Sequence, residues 1–367
     1  MGKRELLIAG AFVVVAAVAY HLTASAPRAG ERGFSIGAMF AGLRDEIASD
    51  SARAEFNQAG TFAVPADVEV LRIGASRSVP VTIEGEDRRD IAFEMPVRST
   101  GPDPASALDF AKRSVVEFDD LGRVLNIGTY FPTEGSQTAT LLLKVPARLA
   151  VRIETGARPK VTGVAAVFLG RVSGEAVVEG VRGTVTGTHL NGDVTVRATG
   201  SVDLILINSR ARFAGIERGL VLNARGGECE IEGSRGPIAF ASTSARLMIR
   251  DHDGPIEIGG EGGHLRLDRP RREVRIDIRR APVDITLAAA APVTVIGSDE
   301  PLRLTLDGPP PVALDAWASQ RSIEAVELGL DVERSERGAR LTHRFGAATA
   351  RVVLRNARGD IVIARAK

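Results

Sequence analysis

The densest concentration of chemistry-bearing side chains is Arg250-Asp251-His252-Asp253-Gly254, where two carboxylates flank an imidazole. Imidazole and carboxylate are common ligands of divalent ions and common acid–base partners, so this trio is raw material for a metal or proton-transfer site. Both uses need convergence from more than one segment. No second histidine or carboxylate recurs here one repeat away, and a solvated polar corner accounts for the same residues. His189, His264 and His343 are scattered. Arg358-Gly359-Asp360 spells an integrin-type tripeptide, yet Gly-Asp ahead of a strand is how this chain builds turns. The reading assigns no catalytic residue and no cofactor, and it keeps Asp251, His252 and Asp253 as the candidates for a metal.

The elements that would position these residues follow from a fixed period. Phe168, Val185, Val202, Leu220, Ile238, Ile256, Val274 and Val293 are spaced by 17 to 19 residues. A second column, Val177, Val194, Ala211, Cys229, Leu247, Leu265, Val283 and Leu302, trails the first by nine. A short unit that cannot bury its apolar face alone must stack on its neighbours. Around each column the pattern alternates, as in Val274-Arg275-Ile276-Asp277-Ile278, which gives strands with one buried and one wet face. Gly-rich corners such as Gly192-Asp193, Gly226-Gly227 and Gly262-Gly263 separate them. The spacing predicts a β-solenoid with two strands per 17–19-residue coil. An antiparallel meander of nine-residue units is disfavoured, because full-period neighbours match better: Phe213, Ile231, Ile249, Leu267, Ile285 and Leu304 form one bulky column. The ladder continues through Leu314, Ile323, Val332 and Leu341, slips to Val352 and ends at Ile361, about eleven coils in all. Pro309-Pro310-Pro311 and Trp317 mark a bulged corner or excursion.

The nine-residue half-unit equals that of calcium-binding β-rolls, but the corners carry Glu228, Ser234, Arg235 and His264 instead of a repeated aspartate. Glycoside cleavage needs carboxylates converging on one lateral face. One outward column reads Thr195, Arg212, Glu230, Met248, Arg266, Asp284, Arg303, and the other Thr186, Asp203, Val221, Ala239, Glu257, Arg275, Thr294. Their signs interleave rather than focus, and Phe213 and Phe240 fall on inward positions, so the lateral faces read as inert. Cys229 also faces inward, where a free thiol packs as a small hydrophobe.

Upstream, Lys3 and Arg4 precede the apolar run Leu6 to Tyr20. Extended through Ala26, a helix there reaches ~31 Å, enough to span a bilayer. Pro27 spoils cleavage at Ala24-Ser25-Ala26, and the basic flank places the N-terminus in the cytoplasm. Residues 1–26 are therefore expected to be an uncleaved transmembrane signal-anchor. Residues 27–62 read as a tether with an amphipathic helix, carrying Phe40, Leu43 and Ile47 on one side and charges from Arg44 to Glu55 on the other. Residues 63–160 read as a small α+β cap unit, with strand-like runs at Val68 to Ile73, Val79 to Ile83, Ile91 to Val97, Val124 to Ile127, Ala139 to Val145 and Leu149 to Ile153. Between them Pro102-Asp103-Pro104 and Ala105 to Glu117 suggest one helix. Residues 161–367 are assigned to the solenoid. The 39 glycines, 4% aromatic residues, single cysteine and formal charge of +1 fit a β-rich body without a disulfide framework and without a nucleic-acid footprint.

A strand ending in Val145-Pro146, then Val151-Arg152-Ile153-Glu154-Thr155-Gly156, repeats such as Gly192-Asp193-Val194-Thr195-Val196, and a closing Gly359-Asp360-Ile361-Val362-Ile363 together resemble the bacterial putative-adhesin domain family. The resemblance spans roughly residues 63–367 and implies a β-solenoid of Gly-Asp-Val-x-Val units. This chain departs from the pattern where Gly236-Pro237 and Gly254-Pro255 replace Gly-Asp. The resulting expectation is a non-catalytic structural or adhesin-like interaction module of the bacterial envelope. It would sit single-pass in the cytoplasmic membrane through Leu6 to Ala26, with its C-terminal body on the periplasmic side. Its partner would be an envelope protein or polysaccharide, not nucleic acid. The alternatives are a carbohydrate-binding or carbohydrate-cleaving β-helix and a scaffold polymerising end to end.

Overall fold

The structure, a computed structural model, describes residues 52–74, 79–154, 158–308 and 310–366. The anchor expected at Leu6 to Ala26 and the helix expected around Phe40, Leu43 and Ile47 lie outside the described residues. Among the described residues no helix is long and apolar enough to cross a membrane. The chain is mainly β, with one α-helix among the described residues, Pro104–Arg113.

Through the repeats each strand pairs in parallel with the strand one full period away. One stack joins Leu220, Ile238, Ile256, Val274 and Val293. The other joins Ala211, Cys229, Leu247, Leu265, Val283 and Leu302. The meander alternative fails here because no nine-residue neighbours pair among the described residues of this region. Both stacks turn their apolar columns into a single core, and every residue just named is at most 2% exposed. Early repeats use one long strand per turn: Thr184–Arg197, Ser201–Ala214 and Gly219–Glu232 run through the corner between the stacks. The bend falls at left-handed residues, Asn191, Asn208 and Gly226-Gly227. At Gly227 (φ +81°) a Cβ would lie 2.1 Å from the Ser209 carbonyl oxygen, so stacked corners demand glycine there.

The first repeat is out of register with the predicted columns. Val167, not Phe168, pairs with Val185, and Ala176, not Val177, pairs with Val194. Both pairs are 18 residues apart instead of 17, and a bulge between Leu169 and Val172, with Arg171 at φ 60°, shifts the offset only locally. One residue of slip moves a side chain to the opposite face. Phe168 is accordingly 37% exposed, with the Arg152 guanidinium 4.4 Å above its ring.

Spatial order departs from chain order at both ends. The strands Val70–Ile73 and Pro80–Glu86 sit inside the stack, each between a strand of the 124–146 segment and one of the 150–162 segment. The intervening segment, residues 90–146, folds outside them as the cap. There Asp90–Gly101 pairs antiparallel with Ala52–Ala63, Ser136–Ala139 and Leu141–Pro146. Residues 52–55, read from sequence as the end of an amphipathic helix, belong to that strand. The alternation Phe56, Gln58, Gly60, Phe62 against Glu55, Asn57, Ala59, Thr61 suits a strand, and Phe62 stacks on Phe118 at 4.6 Å. The cap helix starts where Asp103 accepts a hydrogen bond from the Ser106 amide (2.9 Å) and Pro104 opens the first turn. It ends at Arg113, earlier than Glu117, because β-branched Val115-Val116 begin the strand Val115–Asp120.

The C-terminal end mirrors this arrangement. Ala350–Asn356 inserts between Val293–Ser298 and Val312–Ala318, and Ile361–Arg365 inserts between Leu302–Leu306 and Ile323–Glu324. Val332 and Leu341, expected to form one further coil, do not. Leu341 lies on Gly338–Arg344, which pairs antiparallel with Val312–Ala318 and with the short outer strand Glu333–Ser335. The proline-marked excursion is thus a hairpin laid over the end of the stack.

Candidate functional site

At the predicted metal corner the three side chains diverge. Asp251 takes a left-handed φ of 48° and is exposed. His252 is 1% exposed and faces the core beneath Ser234 and Gly254. Its ring nitrogens point toward the Ser234 and Gly236 backbone without a hydrogen bond of good geometry, and burial holds the imidazole below its ordinary range. Asp253 turns outward to the Arg272 guanidinium (3.0 Å), which keeps its carboxyl below the usual carboxylate range. With Asp251 exposed, His252 turned into the core and Asp253 held by Arg272, the three do not converge, and no group of three such ligands forms among the described residues.

The other described histidines are engaged separately, His343 by an edge contact with Phe345 at 4.5 Å. His189 is fully buried, with Nε2 at 2.9 Å from the Gly174 carbonyl and Nδ1 at 2.8 Å from Ser209 Oγ. A carbonyl only accepts, so Nε2 carries the proton and the Ser209 hydroxyl donates to Nδ1. The pair resembles a nucleophile and base but has no access to solvent. Instead it staples the corner, and burial holds His189 below the usual imidazole range. His264 pairs with Asp284 at 2.9 Å on an outward face. The corner recess beside Asp193, Arg210, Glu228 and Arg246, about 480 Å³, is internally paired, with Arg210 reaching Asp193 at 3.5 Å and Glu228 at 3.8 Å.

The outward columns in the middle of the stack also behave as paired surfaces. Arg266, Asp284 and Arg303 stand in adjacent register positions, and Arg212 meets Glu230 at 3.3 Å. Directly opposed positions on these strands do not pair two carboxylates: Asp203 faces Val221, Glu257 faces Arg275 and Asp284 faces Arg303.

The C-terminal end, beyond the two outward columns, breaks this pattern. On Val312–Ala318 the outward residues are Ala313, Asp315 and Trp317. On one side they meet Arg351, Val353 and Arg355, and on the other Arg344, Thr342 and Arg340. Four arginines therefore occupy the corners of a three-by-three grid centred on Asp315. Arg355 donates to Asp315 Oδ2 at 2.8 Å and to its backbone oxygen at 2.9 Å, and Arg351 reaches Oδ2 at 2.9 Å. Arg340 stands 3.9 Å away. These guanidiniums, Arg355 foremost, hold the Asp315 carboxyl below its ordinary range against the opposing effect of burial. Arg344 has no ion pair among the described residues. Trp317, flanked in register by Arg340 and Arg355, is 40% exposed. The sequence reading missed this site because its members are joined by the inserted terminal strand. The available signal was the matched spacing of Arg340 with Arg344, Arg351 with Arg355, and Asp315 with Trp317.

No protein-family model matches the chain, and no curated protein matches it. Among solved structures it overlaps one described as a putative adhesin from Parabacteroides distasonis, at 12% identity and a TM-score of 0.30 over 85% of this chain and 97% of that one. A second so described, from Parabacteroides merdae, gives 12%, 0.29, 85% and 96% in the same order. A structure described as a putative cell adhesion protein from Clostridium sporogenes gives 8%, 0.20, 85% and 100%.

Proposed function

We propose that this chain is a non-catalytic, adhesin-like interaction module of the bacterial envelope, a β-solenoid held at the cytoplasmic membrane by Leu6 to Ala26 with its β body on the periplasmic side. The observation that carries the reading is the state of the outward faces. Along the middle of the stack, outward charges meet opposite charges on neighbouring strands, as in Arg212–Glu230 and the register pair Glu257–Arg275. Such a body displays a surface instead of enclosing a reaction. The Gly-Asp-Val-x-Val units that resemble the bacterial putative-adhesin domain family agree with it, and the Lys3-Arg4 flank of the apolar run supports the orientation.

The end-to-end polymer fits less well. The terminal strands are short or acidic at three of the four stack ends: Glu333–Ser335, Ile323–Glu324 and Val115–Asp120. Short and charged edges discourage strand addition. Ala52–Ala63 is the long exception and pairs only with Asp90–Gly101 among the described residues.

The test is protease access to a C-terminal epitope on the full-length chain in intact spheroplasts. Cleavage in spheroplasts, with the chain in the membrane fraction, is the expected result. Protection in spheroplasts with cleavage only after lysis would contradict the orientation, and recovery as a soluble periplasmic species starting near Ser25 would contradict the anchor.

A further inference from the structure

We infer that the grid around Asp315 is a binding face for a uronate-bearing polysaccharide, with Trp317 as the platform for a sugar ring and Arg340, Arg344 and Arg351 as the carboxylate contacts. The face is flat and belongs to three adjacent strands, Gly338–Arg344, Val312–Ala318 and Ala350–Asn356. A surface of that shape suits an extended polymer rather than an enclosed small molecule.

Its charge is unbalanced. Arg340, Arg344, Arg351 and Arg355 face only Asp315 at the centre and Glu333, which stands opposite Arg340 on the outer strand, leaving a net charge of +2 (four minus two). Asp315 does not quench the rest. Its carboxylate is 11% exposed and is occupied mainly by Arg355, whose donors go to Asp315 and to the Leu354 carbonyl. Arg351 contributes one bond and remains 68% exposed, and Arg340 is 58% exposed. A guanidinium has five N–H donors in a planar fork, so three arginines keep open donors facing solvent.

The aromatic residue selects among anions. A sheet face presenting only arginine would hold any polyanion by charge. Trp317 adds an exposed apolar plane beside the open guanidinium of Arg340, which is what the apolar face of a pyranose requires. Arg340 lies one strand to one side of it, ~5 Å away at the backbone, with Arg344 further along the same strand and Arg351 on the strand opposite. A polymer with one ring on the indole and carboxylates on either side satisfies both features. A lipid surface would favour a wider apolar rim than Trp317 with Val353. Single-stranded nucleic acid would favour a series of aromatic platforms.

Trp317 is the only tryptophan in the chain, so its emission reports on this face alone. The full-length chain in neutral detergent would be titrated with polygalacturonate, with dextran, dextran sulfate, phosphatidylglycerol vesicles and single-stranded DNA run in parallel. The expected result is a saturable change with polygalacturonate, weakened by added salt, and none with dextran. Arg340→Gln with Arg344→Gln should weaken binding by about tenfold or more, the loss expected when charge-assisted contacts are removed. Trp317→Ala, read by co-sedimentation, should do the same. Arg266→Gln with Arg303→Gln, on the opposite stack, should leave affinity unchanged, and thermal melting of all variants should match the parent.

Equal affinity in parent and grid variants that melt like the parent would overturn the inference, as would the absence of binding by the parent. Binding confined to dextran sulfate would refute the uronate assignment, and binding confined to vesicles or DNA would refute the polysaccharide. The inference rests on the envelope reading only for the supply of the polymer. A chain that binds but is not membrane-held refutes that reading alone, and a membrane-held chain that does not bind refutes this one alone.

Discussion

Removing residues 350–367 should detach the whole C-terminal end, although trimming a terminus is ordinarily tolerated. The reason is the insertion of Ala350–Asn356 and Ile361–Arg365 between the last regular repeat and the hairpin that covers it. Val352, Leu354, Ile361 and Ile363 are at most 2% exposed. At ~1.5–3 kcal/mol for each buried aliphatic side chain, their loss removes on the order of 6–12 kcal/mol, comparable with the whole stability of a typical domain. The deletion also strips Arg351 and Arg355 from Asp315, leaving that carboxylate with Arg340 at 3.9 Å. Because stacked repeats can unfold in part, the readout should be local. Limited proteolysis with mass spectrometry should show cutting throughout residues 310–349 while residues 158–306 stay protected, and Trp317 emission should shift toward that of a solvated indole. A truncated chain that protects residues 310–349 as well as the parent does would refute the insertion. In that case Val312–Ala318 would rest directly on Val293–Ser298.

Leu265→Ala and Ile256→Ala, both inward and at most 2% exposed, should each cost about 2–5 kcal/mol by urea unfolding, while Arg266→Ala and Glu257→Ala stay within about 0.5 kcal/mol. The Cys229 thiol is pushed up to about 12 by burial, so it should resist iodoacetamide at neutral pH until the chain unfolds. His189 and His252 are held below the ordinary imidazole range by burial. A base kept neutral in the folded state binds its proton more readily when unfolded, so stability should be fully present above about pH 6.5 and should fall as pH drops below it. His252→Phe, measured by urea unfolding at pH 7 and pH 5, should flatten that slope.

Much of the repeat was legible because its signal is local. Period-two alternation puts Val274, Ile276 and Ile278 on one face and Arg275 and Asp277 on the other, and the 17–19-residue step puts equivalent positions in register. Phe168 and Val177 each fall one residue from the inward position because each follows an apolar residue, Val167 and Ala176, that fits the column equally well. The exchange of spatial order at the two ends leaves no trace in the period. Val352 is an equally good neighbour for Val293 and for Leu314, and it pairs with both. The metal candidates Asp251, His252 and Asp253 are adjacent in sequence, but the turn at Asp251 and the burial of His252 send their side chains apart. The arginine grid was invisible for the converse reason: Asp315 and Arg355 are 40 positions apart and meet only through that terminal insertion.

The central claim is that the chain engages its partner on the outward C-terminal face and leaves that partner chemically intact. Hydroxyl-radical footprinting of the full-length chain with polygalacturonate, combined with sizing of the recovered polymer, addresses both parts in one experiment. The account predicts protection of Trp317, Val353 and neighbouring outward side chains, with the polymer returned at its original length. Protection centred on the Asp251 corner or on the strand Ala52–Ala63, or a polymer shortened by the parent chain, would contradict it.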